Sequence, residues 1–174
     1  AGAVARSAQR ELACALGGCP APSEEPQPDA VVPMEPPDAT SGFQLAFDGV
    51  IAQPGEEVWL CSVYAIPISE VAPVNWVRYQ QNPGMHHFTI STMGVGVHDL
   101  PYGVMDCPTL LEGRMSELTM IFGGQGDGEG EMHLPDRVAA SLPATIDIVH
   151  EVHFVNATSE PIALYSRINA YTIP

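Results

Sequence analysis

The chain has 174 residues and is 45% hydrophobic, which suits a single domain with a core of its own. Six arginines and no lysine stand against twenty-one acidic residues, so the formal charge of -15 makes nucleic acids and anionic lipid surfaces poor partners. No run of about 18 apolar residues occurs, so the sequence predicts no membrane span.

Residues 1–40 differ in composition from the rest of the chain. Seven prolines lie within residues 20–37, mixed with glutamate and aspartate. Such a segment cannot bury enough apolar surface to offset the entropy of ordering it, so it predicts a disordered, flexible leader or tether. Residues 16–19, Leu-Gly-Gly-Cys, are similar to a lipoprotein cleavage site, but charged residues before them interrupt the apolar region that such a signal needs.

From residue 41 onward, apolar and polar residues alternate in the manner of half-buried strands. We expect strands at residues 43–48, 58–64, 74–79, 85–93, 118–122, 146–155 and 162–173. Turn residues such as Pro54-Gly55 separate them. Seven or eight short strands with turns between them favour an all-β fold, an antiparallel β-sandwich or a jelly roll.

A glycine-rich stretch, residues 123–130, follows the fifth of these strands. It lacks the Lys-Ser/Thr pair and the helix start of a nucleotide-binding loop, and it carries two acidic residues that would repel phosphate. The sequence therefore predicts a mobile surface loop there.

The four cysteines fall into two sets, Cys14 and Cys19 in the leader and Cys61 and Cys107 in the body. Cys61 lies in an apolar strand and Cys107 precedes a proline, which is typical of a loop tied back to a strand. In an extracytoplasmic compartment, secreted or periplasmic, we expect a Cys61–Cys107 disulfide; buried free thiols are the alternative. The spacing of these cysteines does not predict a structural zinc site, because no histidine accompanies them at finger spacing.

Two of the six histidines are neighbours in a predicted strand. His86 and His87 lie in residues 85–93, and successive side chains of a regular strand point to opposite faces of the sheet. Both can bind one metal ion only at a bulge, a twist or a strand end. Pro83-Gly84, directly before them, is the candidate source of such a distortion.

A third histidine comes from the strand predicted at residues 146–155, which carries His150 and His153. Residues three apart do not share a face of a strand, so only one of the two can join a site with His86 and His87. Three imidazoles without a cysteine suit copper or zinc. The alternative is that these are ordinary surface or core histidines.

Four segments carry a resemblance to a known family. They are residues 57–67 (EVWLCSVYAIP), 84–88 (GMHHF), 120–126 (MIFGGQG) and 151–156 (EVHFVN). In this order they resemble the N-terminal domain of the copper type II, ascorbate-dependent monooxygenases, the family of peptidylglycine α-hydroxylating monooxygenase and dopamine β-monooxygenase. The likeness extends over residues 42–174, and the combination of segments is more specific than the His-His pair alone.

The resemblance implies a copper-binding β-sandwich domain with jelly-roll-like topology at residues 41–174. It implies that His86, His87 and His153 hold one copper ion that stores an electron and passes it on, with ascorbate or a similar one-electron donor as the reductant. It selects His153 over His150, and it pairs Cys61 with Cys107.

In that family, oxygen is activated at a second copper, which a His-x-His pair and a methionine hold in a second domain. No His-x-His occurs in this sequence, so we expect the oxygen chemistry and the small-molecule or peptide substrate to belong to a domain that the sequence does not contain. Two hypotheses follow. The chain is the electron-storing half of a hydroxylating monooxygenase, not catalytically complete as given, or it is a stand-alone, non-enzymatic module that binds or carries copper.

Overall fold

The computed structural model describes residues 32–65, 71–93, 100–126, 128–143 and 146–173. Pro33–Pro174 is one compact unit. The greater part of the predicted leader lies outside the described residues, as do Cys14 and Cys19, and residues 32–38 contain neither helix nor strand.

The described part of the chain contains ten strands and one short α-helix. In chain order they are β1 (Gly42–Ala52), β2 (Glu57–Ala65), β3 (Ala72–Gln81), β4 (Met85–Thr92), β5 (Gly103–Asp106), α1 (Cys107–Leu110), β6 (Thr119–Gly126), β7 (Glu129–His133), β8 (Ala140–Leu142), β9 (Asp147–Val155) and β10 (Ile162–Thr172). A single 3-10 turn, Met115–Glu117, precedes β6. None of the described helices is long and apolar enough to cross a membrane.

The strands form two sheets in which each described pairing is antiparallel. The first sheet has the order β1-β10-β3-β7, with β8 also paired to β3, and the second has the order β5-β2-β9-β4-β6. The two sheets pack face to face over a shared apolar core. The predicted all-β sandwich is therefore confirmed.

The period-two pattern of β9 explains how one strand serves both the core and a polar surface. Ile148, Val152 and Phe154 point into the sandwich and are buried in its apolar clusters. Burying a side chain of this size contributes about 1.5–3 kcal/mol relative to leaving it exposed. The alternate residues, Glu151 and His153, point to the outer face of the second sheet and are only partly buried.

A third apolar cluster covers one end of that outer face. β5 extends this sheet beside β2, and α1, which follows it, packs on the outer face, where Cys61 and Val149 are buried. The Asp106 side chain caps α1 by accepting a hydrogen bond from the backbone N–H of Thr109, 2.9 Å away. A disulfide joins Cys61 to Cys107 across this cluster, as predicted, and such bonds are typical of oxidising compartments.

The prediction of a surface loop at residues 123–130 is wrong for most of that stretch. β6 continues to Gly126 and β7 begins at Glu129, whereas Asp127 lies outside the described residues. Two of the glycines, Gly124 and Gly130, lie directly against aromatic rings. A Cβ on Gly124 would lie 2.6 Å from the ring of Phe88, so no larger residue fits there.

Three short strands, β5, β7 and β8, were not predicted. Each has three to five residues and lies at an edge of its sheet, where it needs no continuous apolar face. Apolar and polar residues therefore alternate only weakly in these strands, and the sequence does not predict them.

Candidate metal centre

The three predicted ligand histidines meet on the outer face of the second sheet. β9 lies between β2 and β4, and its His153 is paired with Trp59 on one side and with His87 on the other. These three side chains form one row across the sheet. His86 adjoins the row from the start of β4, and together with His87 and His153 it forms a group able to hold a metal ion.

A bulge at the start of β4 is what brings two adjacent histidines to one site. Met85 is paired with Phe154 and His87 with His153, so His86 is an extra residue on the β4 side. Just before it, Met85 N–H donates to the Asn82 carbonyl over 3.2 Å in a Pro-Gly turn. Gly84 has a φ of 83°, as a type II turn requires of its third residue. The predicted local distortion is present.

The nitrogen atoms that converge are the three Nδ1 atoms. His86 Nδ1 lies 3.1 Å from His153 Nδ1 and 3.1 Å from His87 Nδ1. Two nitrogens 3.1 Å apart, each at the usual bond length of about 2.0–2.1 Å from one ion, subtend an angle of about 100° there. For the two pairs that include His86, this angle is close to the tetrahedral value, and the ligand atoms of all three rings lie within 4.8 Å of one another.

The outer ring nitrogens of two of these histidines face carboxylates. His87 Nε2 lies 3.2 Å from Glu151 Oε1, and His153 Nε2 lies 2.7 Å from Glu57 Oε1. A carboxylate accepts hydrogen bonds, so in both neutral rings the proton is assigned to Nε2 and the Nδ1 lone pair points to the centre.

With neutral rings, this assignment of protons leaves a place for a cation between the three rings. Of the three central nitrogens, only His86 Nδ1 is left to carry a proton, and that proton can fill one of the two 3.1 Å contacts. The other contact would then bring two lone pairs together. A metal ion that accepts all three lone pairs removes this repulsion, so the donor set fits a bound metal.

Glu151 is a site residue that the sequence did not indicate. Its carboxylate accepts hydrogen bonds from Thr89 Oγ1 at 2.7 Å, from Trp59 Nε1 at 2.6 Å and from His87 Nε2. Burial by itself raises the pKa of Glu151, but these hydrogen bonds outweigh it and hold the pKa below its ordinary value. The available signal was its spacing of two from His153, which puts both on one face of β9.

Trp59 is the second site residue that sequence reasoning missed. Its indole stacks on the His153 ring with centroids 5.5 Å apart and an interplanar angle of 26°, and it is 39% exposed. Nothing local in the sequence connects residues 59 and 153. Their contact depends on the register of β2 with β9.

The remaining histidines lie away from the centre or outside the described residues. His150 is fully buried inside the sandwich, where its Nε2 lies 3.1 Å from Ser166 Oγ. His133 is at the end of β7 in the first sheet, edge-on to Trp76. His98 falls outside the described residues.

Comparison with known protein families and with curated proteins found no match for this chain. What the arrangement can do chemically therefore follows from its three nitrogens, the two carboxylates beyond them and their position at the surface.

Proposed function

We propose that this chain is the electron-storing copper domain of an ascorbate-dependent, hydroxylating copper monooxygenase. The observation that carries the proposal is the convergence of three Nδ1 atoms from His86, His87 and His153 with no cysteine among them. The four sequence segments that resemble this family support the same assignment.

Three neutral imidazoles favour copper over the other common metals. Imidazole nitrogen suits copper and zinc, and among first-row divalent ions a given nitrogen site binds Cu²⁺ most strongly. Copper bound here would supply storage of one electron, because it is stable in two oxidation states. The protein would supply ligands, orientation and an opening to solvent on the side of the exposed His86.

Each residue of the site has a part that its contacts define. His86, His87 and His153 hold the ion, and Glu151 and Glu57 keep two of these rings in the orientation that presents Nδ1. Because the site faces outward, ascorbate or a similar small donor can reach it. Oxygen activation and the small-molecule or peptide substrate would belong to a second domain.

Copper binding by wild type and two histidine variants tests the assignment. His153→Ala removes a ligand, so we expect it to weaken Cu²⁺ binding strongly, while the control His133→Ala, which changes a histidine of the other sheet, leaves binding unchanged. Titration against a competing chelator gives stoichiometry and affinity. Unchanged binding in His153→Ala would refute the site.

Reduction by ascorbate tests the electron-storing role. The electron paramagnetic resonance signal of bound Cu²⁺ should disappear on addition of ascorbate, and copper should stay with the protein on gel filtration. Retention of the signal, or release of the copper, would contradict the proposal.

A second candidate function is a module that binds copper and passes it on. The exposure of His86 favours it, since an incoming ligand can approach the ion from that side. The coding sequence beyond Pro174 separates the two. A His-x-His pair and a later methionine in a second β-rich stretch would favour the monooxygenase, and a stop codon would favour the carrier.

A further inference from the structure

Two carboxylates lie directly behind the histidine triad and differ in exposure. Glu151 contacts His87, and its side chain is 13% exposed. Glu57 contacts His153, and its side chain is 66% exposed. Both come from the central strands of the second sheet, and both face the ring nitrogen opposite the one that points to the centre.

The charges of these groups distinguish between the oxidation states of a bound ion. Two carboxylates neutralise a divalent ion held by three neutral imidazoles, but leave a net charge of -1 around a monovalent ion. Coulomb attraction is proportional to the charge of the ion, so the divalent state gains more. A hydrogen bond from Nε2–H to a carboxylate also raises the basicity of the ligating nitrogen.

From this geometry we infer that Glu151 and Glu57 are positioning residues that fix Nδ1 as the ligand atom and bias the site toward divalent copper. The inference rests on the proposed function, because it describes the same copper site. It adds that the protein stabilises the oxidised ion and thereby makes the stored electron easier to give away.

The two carboxylates should contribute unequally. Glu151 is largely shielded from solvent and held by Thr89 and Trp59, so its charge is weakly screened and its position is fixed. Glu57 is mostly exposed, and water screens its charge. We therefore expect the bias to come mainly from Glu151.

Separate Cu²⁺ and Cu⁺ affinities of Glu151→Gln and Glu57→Gln test the inference. Both variants keep an acceptor oxygen and lose the charge. Glu151→Gln should weaken Cu²⁺ binding about 10–100-fold, the range typical of such outer partners. Cu⁺ binding should weaken much less, and each tenfold difference between the two losses raises the reduction potential by about 59 mV. Glu57→Gln should weaken Cu²⁺ and Cu⁺ binding in the same direction as Glu151→Gln, but by smaller factors.

Thr89→Val is the matched control. It removes one hydrogen bond to Glu151 but leaves the carboxylate charge in place, so the ratio of Cu²⁺ to Cu⁺ affinity should change less than in Glu151→Gln. Equal losses of Cu²⁺ and Cu⁺ binding in Glu151→Gln, or the same ratio in Thr89→Val, would overturn the inference while leaving the copper site intact. Failure of the wild type to bind copper would overturn the proposed function instead.

Nitrogen NMR of the zinc-loaded wild type gives a reading that does not depend on any variant folding. Zn²⁺ is diamagnetic, so ¹⁵N–¹H correlations can show which ring nitrogen carries the proton. We expect protonated Nε2 and metal-bound Nδ1 in His87 and His153. Nε2 ligation in either ring would overturn the inference, because the carboxylate would then have no proton to accept.

Discussion

His150 and His153 lie three residues apart in one strand and have opposite environments. His153 is on the outer face, where it stacks on Trp59 and contacts Glu57. His150 is enclosed between the sheets, near the rings of Phe47, Tyr64 and Phe88. Burial, with a smaller contribution from nearby Arg167, lowers the pKa of His150 to about 3. It is therefore a neutral core residue.

The low pKa of His150 makes the stability of the fold depend on pH. The unfolded chain binds a proton on this ring below about pH 6.5, and the folded chain does not do so until about pH 3. The free energy of unfolding should therefore fall as the pH is lowered through this window, and above it His150 contributes no pH dependence.

The substitution His150→Gln removes this titration while keeping a donor for Ser166. Between pH 7 and pH 5 the wild type should lose about 2 kcal/mol more unfolding free energy than the variant, at about 1.4 kcal/mol per pH unit. Urea unfolding of both proteins with a metal chelator present measures the difference. Parallel pH profiles would show that folding does not lower the pKa of His150.

At the scale of elements, the start of β4 determines whether the site forms. The turn at Pro83-Gly84 leads into the bulge at His86, and the bulge places His86 beside His87 and His153. The turn depends on the positive φ of Gly84, which residues with a Cβ rarely adopt.

Gly84→Ala tests the link between this turn and the site. A Cβ at Gly84 meets no atom within 4 Å, so its effect is limited to backbone strain of about 1–2 kcal/mol. We expect that loss of unfolding free energy together with weaker copper binding. Gly49→Ala is the control, because Gly49 has a φ of 85°, equally open surroundings and a place in the other sheet. It should lose similar stability and keep its copper affinity; equal copper affinities in the two variants would contradict the link.

At the scale of the whole molecule, the outer face of the second sheet has two halves. One half holds the histidine triad, and the other is covered by the segment that begins with α1, which the Cys61–Cys107 disulfide joins to β2. The bond closes a loop between residues 46 apart. It should stabilise the fold mainly by restricting the unfolded chain.

The double variant Cys61→Ala/Cys107→Ala should lose about 2–4 kcal/mol of unfolding free energy, the usual range for a native disulfide. The histidines belong to β4 and β9 and not to the covering segment, so the variant should still bind one copper per chain. Chemical denaturation and copper titration provide the two measurements. Loss of copper binding in a variant that is still folded would show that the covering segment supports the site.

Local pattern was sufficient for the long strands, the sandwich class and the Cys61–Cys107 pairing. It also predicted that the strand must be distorted near His86. The two-residue period of a strand and the geometry of a Pro-Gly turn both depend only on neighbouring residues. Edge strands and the glycines of β6 were missed, since their environment depends on residues distant in sequence.

The sequence by itself determined the ligand candidates, their imidazole chemistry and the rule that only one of His150 and His153 could join them. The tertiary structure decided what surrounds them. Trp59, Glu57 and Glu151 reach the site through the pairing of β2, β9 and β4, which brings residues some 90 positions apart into contact. That register is set by the packing of whole sheets, and so is the approach of the three histidine rings to one another.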